Sequence, residues 1–178
     1  GSDASLFAEF ARSTFGVPPE QIIYLTGEDA VRAKMAEALE IWLPKNAQAP
    51  GSTVLFYFAG HGAADPQTGQ AYLLPYDVDA FPVKSGYALE EVWRHLGALS
   101  NARSFVFLDA TFAGLGRRSV AQRGVEAPVK VRKVAAPPAG VLVLAGAAPE
   151  QAAGVATEAN HGLFTFHLLK GLCGGADR

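Results

Sequence analysis

The strongest constraint on the fold is a series of short, continuous apolar runs. Three of them, TVLFYFAG at 53–60, SFVFLDA at 104–110 and GVLVLAGA at 140–147, contain a single charged residue between them, Asp109. Strands that are apolar on both sides are typical of parallel sheets whose two faces are covered by helices. The pattern therefore predicts three strands buried inside such a sheet.

Helical periodicity fills the intervals between the apolar runs. Helices are predicted at 3–15, 29–43, 87–99 and 162–172, and a further strand, QIIYLTG, at 21–27. The inward-facing residues of the second and third helices are expected to be Val31, Met35, Leu39, Trp42, Leu89, Val92, Trp93 and Leu96. We expect mostly loop after residue 60, with a hairpin around Gly69 to Leu74. This alternation predicts an α/β fold with three αβα layers around a mainly parallel sheet.

Composition narrows the class of protein. The chain has 178 residues, 49% of them hydrophobic and 18% charged, which fits one globular domain at 3–178 after a Gly1-Ser2 cloning scar. A net charge of −2 gives no general attraction to nucleic acid or to a membrane, and no apolar run is long enough to span one. The single Cys173 excludes an internal disulfide framework and a cysteine zinc cage, and it fits a cytoplasmic location.

A long basic segment at 113–139 stands apart from the rest of the chain. It holds six Lys or Arg residues and one acid, Glu126. Loops of this length are usually functional or disordered. It contains no aromatic residue of the kind that stacks on nucleic acid bases. A solvated loop and a processing loop both remain open as interpretations.

Two of the predicted strands end in polar residues framed by small ones. FYFAGHG places His61 between Gly60 and Gly62, and FVFLDATFAG places Asp109 and Thr111 after the second strand. Active sites of parallel sheets lie beyond the carboxyl ends of the strands. The simpler alternatives are an inert histidine in a tight turn and an aspartate that caps a strand end. The spacing of 50 residues between positions 61 and 111 is close to that between the histidine and cysteine of caspases.

Four motifs together resemble the caspase–metacaspase clan, especially its bacterial metacaspase-like (orthocaspase) members. They are VLFYFAGHG, GQAYLLPYDVD, FVFLDATFAG and NHGLFTFHLL, and the resemblance runs from about Asp3 to Asp177. It implies the fold of a cysteine endopeptidase. His61 matches the catalytic histidine, which acts as general base and then acid, and Gly62 would lend its N–H to the oxyanion hole. Asp109 matches an acid that helps to form a pocket for Arg or Lys, so the resemblance implies a partner peptide with a basic residue.

The sequence departs from the family pattern in three places. Thr111 stands where the family has its nucleophilic cysteine, and an internal threonine hydroxyl is far less acidic than a thiol. The first family strand has no counterpart, so we expect a separate segment or another chain to supply it beside 53–60. The chain also stops at GGADR, where relatives tend to continue, which favours a domain excised from a larger protein.

These features leave two function classes open. The first is a pseudo-peptidase that binds a basic peptide or acts as a regulatory module without turnover. The second is a working Arg- or Lys-directed endopeptidase, either through Thr111 or because the native protein carries Cys there. A Gly-x-Ser-x-Gly elbow is absent, which argues against an unrelated α/β hydrolase. We expect no cofactor. Calcium, which activates some metacaspases, is the alternative, but Asp65, Asp77 and Asp79 do not follow a calcium-loop spacing.

Overall fold

A computed structural model describes residues 2–65, 67–78, 82–99, 102–110, 112, 136–146, 155–156 and 161–175. The helices are α1 (Ser2–Phe15), α2 (Arg32–Glu37), α3 (Leu43–Asn46), α4 (Leu89–Gly97) and α5 (Leu163–Lys170). The strands are β1 (Ser52–Ala59), β2 (His61–Ala64), β3 (Ala71–Leu74), β4 (Tyr87–Ala88), β5 (Ala102–Asp109), β6 (Val141–Ala145), β7 (Val155–Ala156) and β8 (His161–Gly162).

The main sheet is parallel, with strand order β1-β5-β6. Strands β2, β3 and β4 form a separate antiparallel sheet that follows β1 in the chain, and β7 pairs with β8. The predicted hairpin is confirmed as β2–β3, with Gly69 at a positive φ of 74° in its turn. Its first strand begins at His61, however, so the prediction that His61 lies in a loop was wrong.

The two faces of the main sheet are covered by different helices, because successive side chains of a strand point to opposite sides. Val54, Phe56 and Phe58 of β1 pack in the main hydrophobic core with residues of α2 and α4. Tyr57 and Phe107 point the other way and contact Phe7 of α1. Helix α1 also contacts α5. The predicted three-layer αβα architecture around a parallel sheet is confirmed.

The amphipathic helix predicted at 87–99 is confirmed over Leu89–Gly97, and Tyr87–Ala88 forms strand β4 instead. Helix α4 buries the four residues expected to face inward, namely Leu89, Val92, Trp93 and Leu96. The helix predicted at 29–43 is interrupted by a π-helical turn at Ala38–Trp42, between α2 and α3. Pro44 follows this turn and has no N–H to donate to the carbonyl of Glu40, which gives a physical reason for the wider turn.

The prediction of a strand at 21–27 was wrong. Residues 22–26 form no strand, although Ile22 and Thr26 have extended dihedral angles, and Ile23 and Tyr24 are exposed. A strand needs a neighbour for its N–H and C=O groups, and within the described part of the chain none pairs with this segment. In the same part of the chain, β1 pairs only with β5, along one of its edges.

Burial at both edges of the main sheet is lower than the sequence predicts. Most of β1 is half-buried, with Val54 its one buried residue, and Leu142 and Leu144 of β6 are exposed. Both strands are edge strands among the described residues, whereas the central β5 buries Val106, Phe107 and Leu108. The basic segment lies outside the described residues as far as position 135. No helix in the described part of the chain is long and apolar enough to cross a membrane.

Candidate active site

The carboxyl ends of β1 and β5 lie side by side. Ala59 pairs with Asp109, and the N–H of Gly60 donates a hydrogen bond of 3.2 Å to the Asp109 carbonyl oxygen. His61 and position 111 each come two residues after this pair. Neighbouring strands are about 4.8 Å apart, so the register brings the two strand ends to the same edge of the sheet. Thr111 itself lies outside the described residues, so its predicted role stays a prediction.

His61 opens strand β2 and is exposed to solvent. It stands opposite Leu74, and Gly62 stands opposite Leu73 in the same hairpin. A Cβ at Gly60 would lie 3.1 Å from the ring of Phe58, so a larger residue there would require the ring to shift slightly. The hairpin therefore fixes the direction in which the chain leaves β1, and it leaves the imidazole accessible. The roles assigned to His61 and Gly62 stay predictions.

Asp109 is half-buried at the end of β5 and is held by the first turn of α5. Its Oδ2 accepts hydrogen bonds from the Thr165 hydroxyl at 2.6 Å and from the Thr165 N–H at 3.3 Å. The carboxylate thus satisfies a backbone donor that a helix start leaves without an intrahelical partner. Asp109 therefore has a capping role, although it caps the start of helix α5 and not the strand end considered from the sequence. This role does not exclude binding of a ligand by the other oxygen.

Tyr57 lies behind Thr165 on the same face of the sheet. Its hydroxyl is 2.5 Å from the Thr165 Oγ1, and its ring stacks on Phe7 with centroids 4.4 Å apart. Burial raises the pKa of the Tyr57 phenol, and the nearby Asp109 and Asp3 carboxylates raise it further, against the opposing effect of the Thr165 hydrogen bond. Tyr57 therefore remains a neutral hydroxyl donor at physiological pH.

A second carboxylate reaches the same region. Asp3, in the first turn of α1, accepts a hydrogen bond of 3.2 Å from the N–H of Gly162. The backbone of Gly162 also lies close to the Asp109 carboxylate. A Cβ added to Gly162 would lie 2.1 Å from Oδ2. The sequence analysis missed Asp3, Tyr57 and Thr165 as site residues. An acid in a first helical turn is expected from the helix dipole alone, and the other two fit ordinary strand and helix positions.

The acids weighed as calcium ligands are engaged elsewhere. Asp65 is buried, accepts N–H bonds from Gln67 at 2.7 Å and Thr68 at 3.2 Å, and lies 3.4 Å from the Lys84 ammonium. Asp77 accepts the backbone N–H of Arg32 at 2.8 Å. Asp79 lies outside the described residues. Over the ranges that the structure covers, no three metal-ligating side chains come together.

Comparison with known families places this geometry in context. The family model of the caspase domain matches residues 1–177. A match over nearly the whole chain shows the family, and the chain therefore belongs to the caspase domain family of peptidases. A comparison with curated proteins finds no match.

Proposed function

We propose that this domain is a metacaspase-like pseudo-peptidase: it binds basic side chains of a peptide or protein and does not cleave them. Its relationship to the bacterial orthocaspases and its cytoplasmic location belong to the same proposal. The observation that carries it is the pairing of β1 with β5, whose carboxyl ends lie side by side, together with the threonine that the sequence has at position 111. In this proposal His61 is a general base that has no thiol to act on.

The residues next to position 111 are held in place by burial and by a backbone hydrogen bond. Ala110 and Phe112, on each side of it, are both buried in the main core. The Gly60–Asp109 hydrogen bond holds the carboxyl ends of β1 and β5 together. A nucleophile must lie within hydrogen-bond reach of its base. The burial of Ala110 and Phe112 supports the proposal that such a restraint exists whatever the residue at position 111.

Threonine at this position argues against ordinary turnover. A cysteine thiol has a pKa of about 8.5 and ionises readily beside an imidazole, whereas a hydroxyl does not. Threonine nucleophiles of peptidases normally use their own free N-terminal amine as the base. Thr111 is internal, so this route is closed.

Preference for a basic ligand follows from the two carboxylates. Asp109 and Asp3 both approach the turn at Gly162. A guanidinium or ammonium group is the natural counter-charge for such a pair, and the attraction is strong where water is partly excluded.

The decisive experiment compares the wild-type domain with Thr111→Cys on fluorogenic peptides that end in Arg, Lys or Asp, with and without calcium. We expect no hydrolysis by the wild type. Thr111→Cys should cleave the Arg and Lys peptides, and Thr111→Cys combined with His61→Ala should not. Hydrolysis by the wild-type domain that His61→Ala abolishes would establish the alternative, an active endopeptidase that uses Thr111.

The basic segment offers a second reporter of the same chemistry. In this family the linker after the nucleophile strand is where self-cleavage occurs, and the segment at 113–139 provides six basic residues for it. Mass spectrometry of the purified domain should find the wild-type chain whole and the Thr111→Cys chain cut after Lys or Arg in this segment. If both chains stay whole while the cysteine form cleaves peptides, the segment is not a processing linker.

A further inference from the structure

Three side chains form a directed series of hydrogen bonds on the face of the sheet that α1 and α5 cover. The Thr165 hydroxyl donates its one hydrogen bond to the Asp109 carboxylate. The 2.5 Å contact with Tyr57 must therefore use the phenol as donor and the threonine oxygen as acceptor. The order is therefore Tyr57 to Thr165 to the Asp109 carboxylate. The raised pKa of Tyr57 keeps its proton in place, and this preserves the direction of the series.

The series is held rigidly. Thr165 is fully buried, and Phe7, 5% exposed, stacks on the Tyr57 ring at an interplanar angle of 14°. On the opposite side, the backbone of Gly162 leaves no room even for a methyl group against the Asp109 carboxylate. The carboxylate is thus fixed between the Thr165 hydroxyl and the Gly162 backbone.

Within the described part of the chain, both hydrogen bonds to the Asp109 side chain fall on one oxygen. Oδ2 accepts both Thr165 donors, which fills its two lone pairs. A helix cap needs only the N–H, so the Thr165 hydroxyl, which accepts a hydrogen bond from Tyr57, does more than capping requires. It leaves Oδ1 as the oxygen with free acceptor capacity toward a ligand.

We propose that Thr165, held by Tyr57, is a specificity-determining positioning residue that restricts Asp109 to single-oxygen recognition of a basic side chain. This inference rests on the proposed binding of basic side chains. Arginine binds a carboxylate more tightly than lysine does when two N–H groups of its planar guanidinium contact both carboxylate oxygens. With Oδ2 occupied, that advantage is lost, so the site accepts lysine and arginine on similar terms.

The test measures dissociation constants of three peptides that differ only in one residue, Arg, Lys or neutral citrulline, for the folded domain. The wild type should bind the Arg and Lys peptides with similar affinity and the citrulline peptide more weakly. Thr165→Val frees one acceptor position on Oδ2 and should raise the Arg-to-Lys affinity ratio about tenfold, the value of one charge-assisted hydrogen bond. Thr165→Ser, which keeps the hydroxyl, should restore the wild-type ratio.

Two further variants make the result specific. Tyr57→Phe keeps the ring on Phe7 and should shift the ratio in the same direction by less, because the Thr165 hydroxyl is then no longer held on Asp109. Thr14→Val makes the same exchange on an exposed face of α1 and should change nothing. If Thr165→Val fails to fold, Thr165→Ala removes the same hydroxyl with less bulk and carries the same expectation.

The outcomes separate this inference from the proposal beneath it. If Asp109→Asn abolishes the preference for basic peptides while Thr165→Val and Thr165→Ala leave the Arg-to-Lys ratio unchanged, the positioning role is wrong and the basic-ligand site stands. If the wild type binds all three peptides equally, the basic-ligand site is wrong and the positioning role falls with it.

Discussion

Replacement of Gly162 by alanine tests how tightly the Asp109 carboxylate is held. Gly162 has φ −56° and ψ 135°, which any residue adopts, so its backbone does not require glycine. The available space does require glycine. The new Cβ would lie 2.1 Å from Oδ2 and 2.9 Å from Cγ of Asp109, whereas ordinary contact begins at 3.4 Å. The carboxylate or the start of α5 must therefore move by about 1 Å or more.

Such a movement lengthens the 2.6 Å bond from the Thr165 hydroxyl beyond hydrogen-bonding distance. Loss of a hydrogen bond to a charged group costs about 1.5–3 kcal/mol, and overpacking of a filled site adds about 1–3 kcal/mol. The two costs do not simply add, because a movement that relieves the overpacking is the same movement that breaks the hydrogen bond. We expect Gly162→Ala to lower the free energy of unfolding by about 3 kcal/mol.

Urea unfolding followed by circular dichroism measures this quantity, and Gly171→Ala is the matched control. Gly171 has helical dihedral angles and no atom within 4 Å of an added Cβ. Alanine there should be neutral or stabilising by up to about 1 kcal/mol. A loss of less than about 1 kcal/mol in Gly162→Ala, or a crystal structure of that variant with Asp109 still on Thr165, would refute the reasoning.

Three other predictions concern stability. Phe7→Ala should lower the free energy of unfolding by about 3 kcal/mol, measured in urea, because it empties a buried site between α1 and the sheet; an unchanged midpoint would mean that α1 does not dock there. The raised pKa of Tyr57 means that the folded state holds this proton more tightly than the unfolded state, so stability present below the ordinary value of 10.0 is lost as pH rises above it. Urea midpoints between about pH 9 and 11 should fall less steeply in Tyr57→Phe than in the wild type, and parallel slopes would contradict this. The Asp65 carboxylate has a lowered pKa, chiefly through the Gln67 N–H, so its contribution is present above its ordinary value of 3.8 and is lost as pH falls below it. Acid-induced loss of stability should therefore be shallower in Asp65→Asn, and identical acid profiles would exclude the role of this carboxylate.

How far the sequence predicts this molecule depends on the range of the interactions. Helix α4 follows from its own periodicity, because the residues that face the core repeat within nine positions of one another. The segment at 22–26 has equally suitable residues and forms no strand, because a strand depends on a neighbour that local sequence does not supply.

The same distinction applies to the candidate site. His61 and Asp109 stand directly after apolar runs, where the alternation of strands and helices marks the active edge of a sheet. The bond from Thr165 to Asp109 joins residues 56 apart, and the bond from Gly162 to Asp3 joins residues 159 apart. Neither pairing leaves a periodic signal, since a threonine in a first helical turn and an acid near a chain start are both common. Only the packing of α1 and α5 on one face of the sheet brings them together.

The hydrogen bond from the Gly60 N–H to the Asp109 carbonyl bears on how such a domain changes over generations. It joins main chain to main chain, so a substitution at either position keeps it unless proline replaces Gly60. The alignment of the two strand ends therefore does not depend on which side chains these positions carry. Mutations can change the side chains at this edge of the sheet while the main chain continues to hold the two strands in register.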